Sequence, residues 1–284
     1  MTPPQAERKV IGYGSGGPMY EDEIERSSRK STIRLSLMAI ADAQGDADAF
    51  IAQYDAKTRK VPKIAAEIAG RLLIAGRTDE ALTLLDAAEH GRRSDFGFPD
   101  FAWDDARIEV LEVLRREAEA QEMRWSCFER ALSADHLRAY LKHLPDFDDV
   151  EAEERALDFA LRFNNPHRAL YFLIEWPALE HAAKLITKRA EEIDGNHYEV
   201  LTTAAQALAD KYPLAATLLL RAMIDFTMTK ARASRYKHAA RHFLECASLA
   251  GQIGDFATAE THDTYAARLR REHGKKAGFW GLIS

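Results

Sequence analysis

The stretch YKHAARHFLEC, residues 236–246, holds the side chains with the most chemical reach in this chain: His238, His242 and Cys246, four residues apart. On a helix that spacing places three soft ligands on one face. At 1.5 Å per residue, neighbouring members rise about 6 Å apart, so His238 and His242 could chelate one ion while Cys246 falls out of reach without a kink. A metal centre would then need ligands from elsewhere, with His262 or His273 as examples. The same segment also offers Tyr236, Ala239, Ala240, Phe243 and Ala247 as a packing stripe, with Cys246 beside it as a small apolar residue. The packing reading outweighs the metal one. It predicts a core helix with no bound metal, whose edge of Arg235, Tyr236, Lys237, His238 and Arg241 faces a partner.

Other stretches carry weaker signals. GYGSGG at 12–17 satisfies the glycine spacing of a dinucleotide-binding turn, but that motif needs a strand before it and a helix directly after it in a βαβ unit. Pro18 follows instead, and the downstream pattern holds no parallel sheet, so no cofactor is expected. DFDDVEAEE lacks the alternating oxygen ligands, central Gly and final bidentate Glu of a calcium loop, and helix capping by Asp148 with Glu151 accounts for its acids. No G-x-S-x-G elbow, H-E-x-x-H pair or phosphate-binding G-K-[S/T] loop occurs. A metal-dependent enzyme assembled from distant residues is the least favoured alternative.

Charge is segregated along the chain. Residues 100–160 hold seventeen acids against eight bases, whereas residues 230–276 hold ten bases against five acids, within a total net charge of -6. Bases interleaved with aromatics in the C-terminal part could meet phosphates, which makes a nucleic-acid-binding protein the second reading. The overall acidity favours a protein partner instead. The terminal stretch adds Lys275, Lys276 and Trp280 to the expected interaction set, with GFWGLI folding back as a cap over the last helical pair.

The elements that must position these residues are helices. The 284 residues combine 46% hydrophobic with 30% charged side chains and only fifteen Gly and nine Pro, a composition that favours a soluble helical protein with a real core. Ile33, Leu37 and Ile40 recur at helical spacing before Gly45. Pro62 opens a helix striped with Ile64, Ile68, Leu72 and Leu73 that stops at Gly76, and Thr78 caps the next. The segment AAEIAGRLLIAGRTDEALTLLDAAE looks like one tetratricopeptide-type hairpin. Ser133, Asn165 and Pro213 start later helices. The expected fold is all-α, with antiparallel hairpins stacked as an α-solenoid or superhelix. The expected organisation is a flexible arm over 1–21, a helical repeat domain over 22–272 and a cap or tail over 273–284. The loop at 91–101 is the best internal boundary.

The longest apolar run, YPLAATLLL at 212–220, is followed by Arg221 and Asp225 and is too short to span a bilayer, so no membrane association is expected. Two cysteines and an N-terminus without a signal pattern predict a cytoplasmic setting.

From about residue 31 to 283 the chain resembles an uncharacterised bacterial helical family, domain of unknown function 6880. The resemblance rests on LMAIADAQGDADAFIAQYD, LSADHLRAYLKHLPDFDDVEAEERAL, YPLAATLLLRAMIDF, SRYKHAARHFLECASL and EHGKKAGFW. It implies a helical fold, and a chain shorter at its N-terminus than many members. It carries no activity or catalytic residue across.

Overall fold

A computed structural model describes residues 9–14, 16–88 and 100–283. Among them the chain is predominantly helical, with fifteen α-helices and a single two-stranded sheet. By packing it divides into two compact units, Met1–Met123 and Arg124–Ser284, where the sequence suggests one helical domain. The expected boundary loop lies outside the described residues except for Asp100 and Phe101.

The glycine-rich stretch expected as part of a flexible arm is an antiparallel hairpin. Strand β1 (Val10–Gly14) pairs with β2 (Gly17–Tyr20) in the register Gly12 to Met19, Tyr13 to Pro18 and Gly14 to Gly17, with an irregularity between Val10 and Gly12. Gly17 sits at φ +114, a conformation that favours glycine and that turns the chain back. GYGSGG is therefore turn chemistry, with a strand directly after it.

Helix α1 (Glu21–Gln44) opens with Glu21, Asp22 and Glu23, acids that suit a helix N-terminus, and closes at Gly45 in the left-handed region with φ +65. Of its 24 residues only Ala41 is buried. The stripe Ile33, Leu37 and Ile40 faces solvent at 54%, 45% and 52% exposure, because Met38 and Ala41, on a different face, make the contacts with the first core.

The rest of the first unit is built on α2 (Ala47–Ile51), α3 (Pro62–Ile74), α4 (Thr78–Ala87) and α5 (Ala102–Val113). Pro62 takes the first turn of α3, where a missing N–H costs nothing, and Gly76 makes the turn to α4 with φ +72. Small Ala65, Ala66 and Ala69 let the α3 and α4 backbones approach. Ile68 and Leu72 meet Phe50 and Leu85 in the core, while Ile64 and Leu73 are only partly buried. Trp103 closes this core and donates its indole N–H to Leu85 O at 3.1 Å. Thr78 does not cap α4 by its side chain; Arg77 precedes the helix and binds Glu80 and Asp48 instead.

Helix α6 (Glu117–Ala131) carries the chain from the first unit to the second. There follow α7 (Ala134–Lys142), α8 (Asp148–Leu161), α9 (Pro166–Glu175), α10 (Leu179–Arg189), α11 (Tyr198–Leu208), α12 (Pro213–Thr229), α13 (Tyr236–Ala250), α14 (His262–His273) and the short α15 (Ala277–Trp280). Ser133 caps α7 and Asn165 caps α9, accepting from His167 N and Arg168 N. Asp148 is not a cap: Phe147 precedes α8 with φ +75, and Asp148 is already the first helical residue. Phe128 anchors one end of the core against Trp125, Phe159 and Phe172.

Helix α12 is the centre of the second unit. Ten of its seventeen residues are buried, spread over more than half of its circumference, and it packs against α10, α11 and α13. Gly195, in the turn before α11, lies so close to α12 that a Cβ there would stand 2.0 Å from Ala222 O and 2.8 Å from Phe226 Cβ. Gly195→Ala must therefore shift backbone, and we expect it to lower the stability of the protein by about 1–3 kcal/mol in urea denaturation. Gly254→Ala, which meets nothing within 4 Å, is the control expected to leave the midpoint nearly unchanged.

Candidate functional site

The sequence-predicted metal residues part company on α13. His238 is exposed, whereas His242 and Cys246 are buried. Burial holds the Cys246 thiol up at about 12, against the nearby Arg221 charge, and Cys246 Sγ points to Thr217 O at 3.9 Å. His242 Nδ1 has no hydrogen-bond partner, and Glu245 Oε2 stands 3.8 Å away. The packing stripe runs through Ala239, Ala240, His242, Phe243, Cys246 and Leu249; Ala247, expected in it, is exposed because it lies a turn-fraction around from Cys246.

The expected interaction edge is partly consumed within the unit. The Arg235 guanidinium covers the Tyr198 ring at 4.7 Å and donates to Asn196 Oδ1 at 3.2 Å. Tyr236 meets Phe279 edge-on, and Lys276 Nζ donates to Met228 O. Trp280 donates to His273 O at 3.0 Å, under Arg270 at 4.4 Å, while Phe279 is fully buried. Lys237, His238, Arg241 and Lys275 are exposed.

A constellation that motif reading misses lies on α12 and α14. A cleft of about 630 Å³ is lined by the 190–195 turn, by Arg221, Asp225 and Phe226 of α12, by residues 258–260, and by Tyr265 and Arg268 of α14. Asp225 accepts from Tyr265 Oη at 2.9 Å and from Arg268 Nη2 at 3.2 Å. Arg268 also donates to both carboxylate oxygens of Glu260, at 3.1 and 3.0 Å. Burial opposes the Arg268 charge, but Asp225 and Glu260 outweigh it and hold its pKa above the ordinary value. Burial, then Asp225, push the Tyr265 phenol well above its usual range, so it donates as a neutral group.

Arg221 is the buried cation of this set, 5% exposed. Its guanidinium lies over the Tyr265 ring at 4.4 Å, and Nη1 donates to Glu260 O at 2.7 Å. Nε and Nη2 have no hydrogen-bond partner, and neither do the nearby Thr217 Oγ1 and His262 Nδ1. Burial pulls the Arg221 pKa down from its ordinary value, and the same burial with the Arg221 charge lowers that of His262. The legible signal is Arg221 and Asp225 at i, i+4 directly after the apolar run at 212–220: a charge pair on so apolar a helix needs partners from outside it.

Among the described residues, Glu154, Asp158 and His181 bring one ligand atom each within 4.8 Å of one another. Glu154 and Asp158 share a face of α8, and His181 Nε2 of α10 approaches Glu154 Oε1 at 3.4 Å. Glu180 in turn pairs with Lys184.

Residues 1–282 match DUF6880, a family of unknown function. No curated protein and no solved structure matches the chain. No helix among the described residues is long and apolar enough to cross a membrane.

The buried His242 gives a pH signature. Burial, then Arg241 and His238, press its pKa down to about 4 from an ordinary 6.5. A lowered folded-state value means that the neutral ring stabilises the fold above pH 6.5, and that this contribution is lost as pH falls from 6.5 towards 4. We expect about 3 kcal/mol to disappear over that window by the linkage relation, and His242→Leu to flatten the loss in urea titrations at a series of pH values.

Proposed function

This chain belongs to DUF6880, and because the family supplies no activity we propose a reading from its surfaces: a helical scaffold that binds another protein through α1. The carrying observation is the exposed stripe Ile33, Leu37 and Ile40, three large aliphatic residues at i, i+4 and i+7 on a helix that buries only Ala41. Burying an aliphatic side chain is worth about 1.5–3 kcal/mol, so three of them form an energetic centre for an interface. The hairpin before α1 adds exposed Val10, Ile11, Tyr13 and Met19. The spacing suits a partner that lays an amphipathic helix of its own along α1. Stacking of tetratricopeptide-like pairs within each unit, and a cytoplasmic setting for a chain whose buried Cys127 and Cys246 form no disulfide, belong to the same proposal.

The basic edge of α13, with Lys275 from the turn after α14, is the secondary surface. Lys237, His238, Arg241 and Lys275 are the residues that would steer an acidic partner, at rates that fall with salt. A nucleic-acid reading would use the same four side chains, of which the His238 ring alone could stack on a base.

The double substitution Ile33→Glu with Leu37→Glu tests the proposal. Both sites are exposed, so the variant is expected to unfold within about 0.5–1 kcal/mol of the parent. Affinity capture from native lysate, run with both proteins and read by mass spectrometry, should retain a protein on the parent that the variant loses. Size-exclusion over a concentration series identifies the case in which that protein is a second copy of this chain. Identical capture and elution profiles would sink the reading.

A further inference from the structure

Four arginines of this protein bind a carboxylate through one edge of the guanidinium, and the buried Arg221 has the same edge open. The Nε and Nη2 edge of a guanidinium presents two parallel N–H donors that match the two oxygens of a carboxylate. Arg71 uses that edge on Asp42, at 2.6 and 2.8 Å. Arg77 uses it on Glu80, at 2.8 and 2.7 Å, and Arg116 on Glu119, at 2.6 Å for both bonds. Arg189 does the same on Glu192, at 2.8 and 2.6 Å. Arg221, 5% exposed, has this edge unpaired.

Its neighbours do not provide the missing anion. Asp225 and the Glu260 side chain bind Arg268, and Glu260 gives Arg221 only its carbonyl, on Nη1. The Cys246 thiol lies against the Arg221 side chain but, with its pKa near 12, stays neutral and supplies no charge, and the Tyr265 phenol donates to Asp225. The charges of Glu260 and Asp225 act on Arg221 only through space and burial still outweighs them, a cost that an anion on the open edge would offset. Arg221 also lines a cleft of about 630 Å³, within the size range of small-molecule sites.

We infer that the cleft between α12 and α14 is a binding site for a small organic anion, whose carboxylate or similar oxyanion takes the Nε and Nη2 edge of Arg221. The other lining charges narrow the class. Glu191, Asp194, Asp225 and Glu260 stand against Arg221, Lys230 and Arg268, so the lining disfavours polyanions and suits a single negative charge. Leu218, Ala222 and Phe226 offer apolar wall to the body of the ligand, which points to a monocarboxylate. Nε and Nη2 are closed off from solvent, so the oxyanion reaches them after a side-chain shift. The wall that would have to shift is 258–260, which lies outside the helices and is held by Arg221 and Arg268 at Glu260. This site is independent of the α1 surface: either can fail alone.

The test is a titration of the full-length, nitrogen-15-labelled chain with sodium butyrate and, separately, with sodium phosphate at matched ionic strength, read by NMR. The expected result is a saturable shift of the Arg221 Nε–H signal and of the Gly195, Ala222 and Glu260 amides with butyrate. Saturation by phosphate alone, with no response to butyrate, would overturn the assignment to a monocarboxylate. Arg221→Lys, which keeps the charge and loses the fork, should weaken binding roughly ten- to a hundredfold. Arg221→Met replaces the buried cation by an apolar side chain of similar length and is expected to fold and to bind neither anion. No saturable response to either anion, or the same amide response in Arg221→Met, overturns the inference.

Discussion

A guanidinium buried in the middle of an apolar helix is the constraint on which the second unit turns. Arg221 sits on the most enclosed element of that unit, between Leu220 and Ala222, with Leu219 and Ile224 in the same core. Left alone, such a charge would cost several kcal/mol. The C-terminal segments offset part of that cost. Tyr265 lays its ring against the cation, Glu260 turns its carbonyl to Nη1, and Arg268 collects the two carboxylates that stand near α14. The position of α14 is therefore fixed by electrostatics as much as by apolar burial, which on that helix is limited to Tyr265 and Leu269. Gly195 lies against α12 in the same cleft, because only a residue without a Cβ allows the turn to lie on Ala222.

The first unit shows the opposite condition. Its core forms around Phe50, Ile68, Leu72, Leu85 and Trp103, and α1 contributes little to it beyond Ala41 and Met38. Charge pairs such as Lys9 with Glu21, at 3.0 Å, hold the start of this helix, and exposed pairs of that kind are worth under about 1 kcal/mol each. A 24-residue helix with so few buried contacts presents its apolar stripe to whatever can cover it. The two units thus differ in what they leave unsatisfied: an apolar face in one, and a hydrogen-bonding edge in the other.

Much of the helical pattern is legible in the sequence because its punctuation is chemical. Pro62 and Pro213 at helix starts, Gly45 and Gly76 at left-handed turns, and the caps Ser133 and Asn165 all act as their residue types require. Where the reading departs from the structure, local rules leave a choice. Gly12, Gly14 and Gly17 serve a hairpin turn as well as a loop. Periodicity identifies Ile33, Leu37 and Ile40 as one face without saying whether a core meets it, and the exposed Ala247 fails for the same reason. The Arg221 cleft is not legible in local sequence, since its members lie at 190–195, 218–230 and 258–268 and come together only through packing. In the sequence, Arg221 and Asp225 stand only as the charges that end the apolar run at 212–220.

The central claim is that α1 stands largely unsupported in the free chain while α12 is locked in a core. Amide hydrogen exchange on the isolated protein, read peptide by peptide, tests it most directly. Helices held by few buried contacts open locally at small free-energy cost, whereas core helices exchange only through global unfolding. The account predicts that peptides from 24–40 exchange orders of magnitude faster than those from 215–228. Equal protection of the two segments in a monomeric sample would contradict it, because the α1 face would then already be covered.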